Sequence, residues 1–325
     1  MVIGIPLLKG YLDDGREIFY LEENVRRKFQ NMGFFIKTFI PDNDYKIDRS
    51  DFDVVNGVYL PEGDYDKSII DDIKKIGIPI YGDKDFINKC KIRNVQSKKK
   101  DKTIGVVSKY IVTDGVSKVY LTNRLKRTLL LGGANIELII PIQDVDYPTT
   151  RGCDYPVFTD NEKELINMII RKIDGLLLPG GLKFTPYDRY LLEMAISKDI
   201  PTLGICLGMQ TISCYKDEIN LIDIDSNINH NQEKDDILTH NVVIDKNSLL
   251  YKIVGNEKIM VNSFHRKTIT PNKFLNSVAF CDDNIIEALE MPGKRFVLGV
   301  QWHPEISYEF DYNSKKIIDY YIDLL

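Results

Sequence analysis

The cysteine at position 206 lies in the most reactive sequence context of this chain. An apolar run, Pro201-Thr-Leu-Gly-Ile205, leads directly into Cys206, and Gly204 and Gly208 stand two residues before and after it. Glycines at this spacing allow a sharp turn from a strand into a helix, which lifts the central side chain above the edge of a sheet. The N–H groups and the dipole at the start of that helix favour a thiolate. The pattern predicts a nucleophile, with a buried core cysteine as the alternative.

A histidine and a carboxylate near the other end of the chain could activate such a thiol. The segment Leu298-Gly-Val-Gln-Trp-His-Pro-Glu305 places His303 and Glu305 two residues apart, just after an apolar strand. Side chains at positions i and i+2 share one face in extended geometry. Glu305 can therefore hold one ring nitrogen of His303 while the other nitrogen takes a proton from Cys206. Together these residues predict a Cys-His-Glu triad, although each half alone would be weak evidence.

With two further segments, the sequence resembles the class I glutamine amidotransferase superfamily over roughly residues 103–325. These segments are Asp174-Gly-Leu-Leu-Leu-Pro-Gly-Gly181 and Val261-Asn-Ser-Phe-His-Arg266. The most similar branch is the gamma-glutamyl-gamma-aminobutyrate hydrolase, or gamma-glutamyl hydrolase, type. The resemblance implies a flavodoxin-like parallel α/β sheet with helices on both faces. It also implies that Cys206 is the nucleophile, His303 the general base and acid, and Glu305 its orienter.

The same resemblance assigns supporting roles around the triad. Backbone N–H groups of Leu207 and of either Gly180 or Gly181 would form the oxyanion hole. The implied substrate-binding residues are Gln210, which would touch the glutamyl group, and Asn262, Ser263 and His265. The sequence departs from the hydrolase branch at Leu207, where that branch has arginine, and at Lys267, where it has glutamine. The resulting Cys-Leu-Gly elbow is more typical of true amidotransferases.

These observations favour a cysteine-dependent hydrolase that cleaves a gamma-glutamyl amide bond through a gamma-glutamyl thioester and releases glutamate. A first alternative is a glutaminase component that supplies ammonia to a separate synthetase, which the Cys-Leu-Gly elbow supports. A second alternative is a non-catalytic regulatory or binding protein, since fold does not guarantee activity. The intact triad argues against that second alternative.

Composition limits the remaining functional classes. The 325 residues are 43% hydrophobic and 28% charged, with a net charge of -5, which gives no electrostatic reason to expect nucleic acid. The beginning of the sequence has neither a basic region nor a long apolar segment, so we expect a cytoplasmic protein without a membrane span. The 5 cysteines show no metal-ligand spacing, and we expect no cofactor and no metal. The expected partners are a small gamma-glutamyl substrate and either a second copy of the chain or a separate synthetase.

The first hundred residues resemble a truncated copy of the catalytic half. Several residues recur in the same order and without a gap, as Tyr20-Leu21 with Tyr120-Leu121, Gly33 with Gly133 and Pro41 with Pro141. The position that corresponds to Cys206 is Lys84, and no elbow glycine follows it. We therefore predict a non-catalytic, truncated α/β repeat of the same fold at 1–96, a linker at 97–102 and a catalytic glutamine amidotransferase-like domain at 103–325. The first domain is expected to have a structural role, as half of an internal pseudo-dimer.

Alternating apolar runs and helical patterns position these motifs. Each copy is predicted to begin with a strand, a helix and a second strand, at 2–6, 17–32 and 34–40 and again at 103–107, 117–132 and 135–140. This alternation predicts a parallel sheet. After the elbow we expect strands near 240–246, 258–262, 274–281, 285–290 and 296–301, and a last helix from about 313. His230 is expected in a loop, and His240 is expected to form a hydrogen bond at the start of a strand.

Overall fold

The computed structural model describes residues 1–93, 100–142, 158–181, 185–216, 221–235 and 237–325. Their contacts form two compact units, one of residues 1–100 and 108–130 and the other of residues 101–107 and 131–325. The first unit thus includes residues 108–130, which belong to the second sequence repeat. Residues 97–99 of the predicted linker lie outside the described residues, and the predicted domain boundaries stay a prediction.

The described strands and helices alternate along much of the chain. The strands are β1 (Val2–Pro6), β2 (Leu8–Tyr11), β3 (Glu17–Glu22), β4 (Phe35–Phe39), β5 (Gly57–Val58), β6 (Thr103–Val107), β7 (Lys109–Thr113), β8 (Val116–Thr122), β9 (Asn135–Ile139), β10 (Gly175–Leu178), β11 (Thr202–Ile205), β12 (Leu221–Asp223), β13 (His240–Ile244), β14 (Lys258–Val261), β15 (Lys267–Ile269), β16 (Asn276–Cys281), β17 (Ile286–Glu290) and β18 (Val297–Val300). The helices are α1 (Glu23–Asn31), α2 (Ile69–Ile76), α3 (Phe86–Ile92), α4 (Asn123–Leu131), α5 (Asp160–Lys172), α6 (Pro186–Ser197), α7 (Leu207–Ser213), α8 (Leu249–Val254), α9 (Pro304–Ser307) and α10 (Tyr312–Asp323), with a 3-10 helix at Arg49–Val54. Among these helices, none combines the length and the apolar character that a bilayer span requires.

The first unit contains a small parallel sheet with the strand order β4-β1-β5. An isolated parallel bridge between Val58 and Ile80 continues this order by one position. Aromatic and aliphatic side chains fill the space beside the sheet, including the buried rings of Phe39 and Phe52, whose centroids lie 5.2 Å apart. The unit therefore has its own apolar core.

A second sheet of the first unit joins corresponding segments of the two repeats. The antiparallel order is β2-β3-β8-β7, and Tyr20 of β3 lies opposite Tyr120 of β8, its counterpart in the repeat. The predicted helices at 17–32 and 117–132 were therefore wrong in their first six residues, which are strands. Burial in β3 alternates over most of its length, and the strand has a hydrogen-bonded neighbour on each side, which outweighs helix propensity.

The second unit is organised around a nine-stranded sheet with the order β14-β13-β16-β17-β18-β11-β10-β6-β9. Five neighbouring strands of this sheet, β9, β6, β10, β11 and β18, are parallel to one another. Numbered along the chain, these five strands have the order 2-1-3-4-5, which is the flavodoxin-like order. The predicted α/β fold class is confirmed. The strands β17, β16, β13 and β14 extend the sheet in antiparallel fashion.

Three neighbouring parallel strands end at one edge of this sheet. Leu178 of β10 pairs with Gly204 of β11, and Ile205 of β11 pairs with Val300 of β18. Buried side chains of α5, α6 and α7 pack in one apolar cluster with β10, which fixes the strands beneath that edge. The residues that follow the three strands are therefore brought together, and they include Gly180, Cys206 and His303.

Deleting residues 1–96 tests the structural role of the first repeat. The deletion leaves β8 without β3 and uncovers the buried side chains of Val119 and Leu121. An unpaired strand edge with apolar side chains promotes association between chains. We expect the fragment to aggregate in size-exclusion chromatography under conditions in which the full chain elutes as a discrete species. A soluble fragment with the heat-unfolding midpoint of the full chain would contradict this role.

Candidate active site

Cys206 occupies the turn between β11 and α7. Its backbone has φ 50° and ψ -102°, a conformation that residues other than glycine rarely adopt. Such strain typically costs about 1 to 3 kcal/mol and persists only where surrounding contacts impose it. Here the N–H of Cys206 donates to the carbonyl of Val300 at 2.8 Å, and its own carbonyl accepts from the N–H of Gln210 at 3.0 Å. Strand pairing on one side and the first helical turn on the other thus hold the predicted elbow.

The glycines beside Cys206 are required by the close approach of backbones. A Cβ on Gly208 would lie 1.9 Å from the carbonyl oxygen of Leu178, at the end of β10. A Cβ on Gly204 would lie 2.6 Å from the backbone carbon of Gly208. Any larger residue would push α7 away from the sheet edge. The spacing recognised in the sequence therefore reflects steric contact as well as turn conformation.

His303 and Glu305 form a short hydrogen bond beside the elbow. The Nδ1 atom of His303 lies 2.7 Å from Oε1 of Glu305, and Glu305 is in the first turn of α9. Because Nδ1 is bonded to the carboxylate, Nε2 is the ring nitrogen left for Cys206, which is close enough to raise the pKa of His303. The structure thus brings together the three residues of the predicted triad.

Opposite charges around His303 determine its protonation. Burial lowers the pKa of His303, but the charges of Glu305 and Cys206, with hydrogen bonds to both, outweigh burial and raise it to about 10. The imidazole is therefore protonated at neutral pH. A protonated imidazole beside a cysteine favours the thiolate, the form that attacks carbonyl carbon.

Three other residues fix the position of His303. The side chain of Asn262 spans the histidine backbone, with Oδ1 accepting from the N–H of His303 and Nδ2 donating to its carbonyl, each at 2.8 Å. The ring of Phe264 meets the imidazole edge-on, with centroids 5.6 Å apart. On another side, a Cβ on Gly180 would lie 2.6 Å from Cε1 of His303. The sequence did not identify Phe264, and it identified Gly180 only as an N–H donor.

The predicted oxyanion hole includes a backbone group with no partner in the helix. Leu207 is the first residue of α7, where an N–H group has no intrahelical acceptor. Gly180 lies beside His303, and Gly181 is the last described residue before a gap. Their assignment as donors to an oxyanion stays a prediction.

The predicted substrate-binding residues have polar partners within the protein. Gln210 is buried, and its Nε2 donates to Oε1 of Gln301 at 3.2 Å. Asn262 is fully buried and uses both ends of its amide on His303. The fully buried Ser263 donates from Oγ to the carbonyl of His230 at 2.8 Å. Asn262 therefore supports His303, and Ser263 is bonded to the segment that contains His230. Contact of any of these residues with substrate stays a prediction.

His265, the last predicted substrate-binding residue, lies in a buried group with His230, His240 and Glu287. The ring nitrogens that face Oε1 of Glu287 lie 3.3 Å away for His230, 3.2 Å for His240 and 3.5 Å for His265. Burial alone would raise the pKa of Glu287, but the three imidazoles hold it well below its usual range. Sequence reasoning did not find this group, because its members are far apart in the chain and have no common spacing.

Substituting Gly180 tests whether the position of His303 depends on that glycine. In Gly180→Ala, the new Cβ must displace the imidazole, since the two would otherwise lie 2.6 Å apart. Misplacing a catalytic group by about 1 Å can cost about 100-fold in rate. We expect amide hydrolysis to fall by about that factor while the heat-unfolding midpoint changes little. Undiminished hydrolysis would show that the ring does not need this space.

Substituting Glu305 tests the charge balance at His303. Because the pKa of His303 is raised to about 10, its imidazolium form is present below that pH and is lost as pH rises through it. In the predicted triad, the imidazolium is the form that protonates a leaving amine. In Glu305→Gln one negative charge is removed, so the alkaline limb of kcat/KM should move to lower pH. Turnover should fall by about 10,000-fold, as in other triads that lose the orienting carboxylate. An unchanged alkaline limb would remove Glu305 from this role.

The chain is similar to known proteins over the part that contains these residues. The Peptidase C26 family model matches residues 186–305, which include Cys206, His303 and Glu305. The glutamine amidotransferase-like protein YvdE of Lactococcus lactis is 30% identical over 187 residues, which cover 50% of this chain and 76% of that protein. The CTP synthase of Mycoplasma capricolum is 28% identical over 246 residues, covering 66% of this chain and 43% of the synthase.

Among solved structures, the glutaminase domain of a Trypanosoma brucei CTPS with bound acivicin aligns with a TM-score of 0.46 and 19% identity. The alignment covers 68% of this chain and 91% of that domain. The similarity in sequence to the Lactococcus lactis protein covers most of that protein, and it is sufficient to identify the family. This chain belongs to the class I glutamine amidotransferase superfamily.

Proposed function

We propose that this protein is a cysteine hydrolase that cleaves a gamma-glutamyl amide bond through a gamma-glutamyl thioester. The observation that supports the proposal most directly is the 2.7 Å bond from Nδ1 of His303 to Glu305, next to a cysteine in a strained elbow. These residues have the nucleophile, base and orienter relation that amide cleavage by a thiol requires. The gamma-glutamyl class of substrate is supported by the resemblance of the segment from Asn262 to His265.

In the first half of the reaction, the thiolate of Cys206 attacks the gamma-carbonyl carbon. The carbonyl oxygen becomes an oxyanion, which the N–H of Leu207 and one from Gly180 or Gly181 would stabilise by about 3 to 4 kcal/mol each. His303 then transfers its Nε2 proton to the leaving amine, and the carbon–nitrogen bond breaks. The products are a free amine and a thioester between Cys206 and the gamma-glutamyl group.

In the second half, water replaces the amine. His303 is now neutral and accepts a proton from a water molecule while the oxygen of that water attacks the thioester carbonyl carbon. The carbon–sulfur bond breaks, glutamate leaves, and Cys206 returns as the thiolate beside the protonated His303. Glu305 keeps its hydrogen bond to Nδ1 through both halves, which stabilises the imidazolium each time it forms.

A glutaminase component of an amidotransferase is the second candidate. Two observations favour it: the Cys206-Leu207-Gly208 elbow, and the similarity of 66% of the chain to a CTP synthase. In this candidate the chemistry at Cys206 is the same, but the substrate is glutamine and the ammonia passes to a synthetase on another chain. Only the leaving group and the need for a partner distinguish the two candidates.

The test is glutamate release from glutamine and from a panel of gamma-glutamyl amines and gamma-glutamyl peptides. We expect an extended gamma-glutamyl compound to give a kcat/KM well above that of glutamine. Turnover of glutamine alone, or turnover only with a partner chain, would instead establish the glutaminase component.

Two variants serve as controls for this assay. Cys206→Ala removes the nucleophile and is expected to abolish glutamate release from every compound while the protein stays folded. Cys214→Ala removes a different buried cysteine, whose Sγ donates a hydrogen bond to the carbonyl of Gln210. This variant should retain turnover. Glutamate release by Cys206→Ala close to that of the unaltered chain would exclude the proposed mechanism.

A further inference from the structure

The group around Glu287 is separate from the triad and has an unusual electrostatic arrangement. Glu287 is fully buried on β17, and neither of its carboxylate oxygens has a hydrogen-bond partner of acceptable geometry among the described residues. Nevertheless, ring nitrogens of His230, His240 and His265 all lie within 3.5 Å of Oε1. A buried carboxylate without a hydrogen bond is costly unless a positive charge lies against it.

Each imidazole has an inner nitrogen, which faces Glu287, and an outer nitrogen, which faces away from it. The outer nitrogen already has a hydrogen-bond partner, which determines whether the inner nitrogen carries a proton. Nε2 of His230 lies 2.9 Å from Oδ2 of Asp283, and Nδ1 of His265 lies 3.2 Å from the carbonyl of Lys267. Nδ1 of His240 lies 3.3 Å from the carbonyl of Asn229. These oxygens only accept, so the outer nitrogens carry the protons, and a neutral imidazole then presents a lone pair toward Glu287. Lone pairs that converge with a carboxylate form a ligand set for a cation.

The orientation of these rings follows the usual pattern of metal-bound histidines. A histidine ligand almost always donates its other N–H to a carboxylate or a backbone carbonyl, which fixes the tautomer and the ring direction. Asp283 has this relation to His230, and backbone carbonyls have it to His240 and His265. The surrounding contacts are therefore those that a metal site requires beyond its ligands.

Distances within the group agree with tetrahedral coordination. Nδ1 of His230, Nε2 of His265 and Oε1 of Glu287 form a nearly equilateral triangle, with sides of 3.4, 3.3 and 3.5 Å. Ligands about 2.0 to 2.1 Å from a tetrahedral zinc ion lie about 3.3 to 3.4 Å apart, whereas neighbouring ligands of an octahedral ion with such bonds lie about 2.9 Å apart. The triangle therefore matches one face of a zinc tetrahedron.

We propose that His230, His265 and Glu287 bind a divalent zinc-like cation, with His240 as a fourth ligand or a close neighbour. Nitrogen and oxygen ligands suit Zn²⁺. The site would join three segments that are distant in the chain. One of them contains Asn262, whose side chain is bonded to the backbone of His303. Its role would be structural, because the ligands are buried and none belongs to the triad.

The test uses a tag-free full chain with the substitution His303→Asn. The sequence has 4 histidines, so this background keeps only His230, His240 and His265 and removes zinc binding by the catalytic pair. After chelator treatment, Zn²⁺ is added, and affinity is measured by competition with a chromophoric chelator. Co²⁺ in place of Zn²⁺ reports geometry through its absorption spectrum. We expect one zinc per chain, a tetrahedral Co²⁺ spectrum and a higher heat-unfolding midpoint with zinc.

Two further variants in this background locate the ion. Glu287→Gln should weaken zinc binding by at least about 100-fold. Asp283→Asn changes the partner of Nε2 of His230 but none of the proposed ligand atoms, and should weaken zinc binding by about 10- to 100-fold. Asp283→Asn is the safer variant if Glu287→Gln does not fold, because the Asp283 side chain is 17% exposed. The proposal would be overturned if the His303→Asn chain bound no stoichiometric zinc, or if both variants bound zinc as tightly as that chain does. The group would then be held together by protonated imidazoles around Glu287.

Discussion

The parallel pairing of β11 with β18 is the constraint on which the candidate site depends. Their register sets Ile205 beside Val300, and the bond from the Cys206 N–H to the carbonyl of Val300 extends that pairing into the elbow. Because both strands end at the same sheet edge, Cys206 and the residues after β18 become neighbours. Segments separated by nearly a hundred positions thus meet through a backbone contact, which does not depend on the side chains of the proposed triad.

Around that contact, steric contacts and charges determine the positions of the side chains. Glycines at 204 and 208 let α7 press against the sheet, and Gly180 leaves room for the imidazole. The buried amide of Asn262 then clamps the backbone of His303, and Glu305 supplies the charge that keeps the ring protonated. If these residues are catalytic, as proposed, they need little reorganisation when a substrate binds, because their positions are already fixed.

The sequence was sufficient for the parallel strands and for the proximity of Cys206, His303 and Glu305 at one sheet edge, because local patterns indicate both. Apolar runs predicted β1, β6 and β18, and the elbow glycines and the His-Pro-Glu spacing predicted the triad. It failed at 17–22 and 117–122, where pairing between the two repeats selects strand over helix. Equally, no local pattern shows that Asn262 grips His303, or that His230, His240 and His265 converge on Glu287, since these contacts arise only from the folded topology.

The central claim is that Cys206 carries a gamma-glutamyl group during turnover. The most direct measurement is the mass of the intact chain after brief mixing with a gamma-glutamyl substrate and quenching in acid, which preserves a thioester. The account predicts a species heavier by one gamma-glutamyl group, with the addition on the peptide that contains Cys206 and its loss on treatment with hydroxylamine. Rapid glutamate release with no such species at any mixing time, or the addition on another residue, would contradict it.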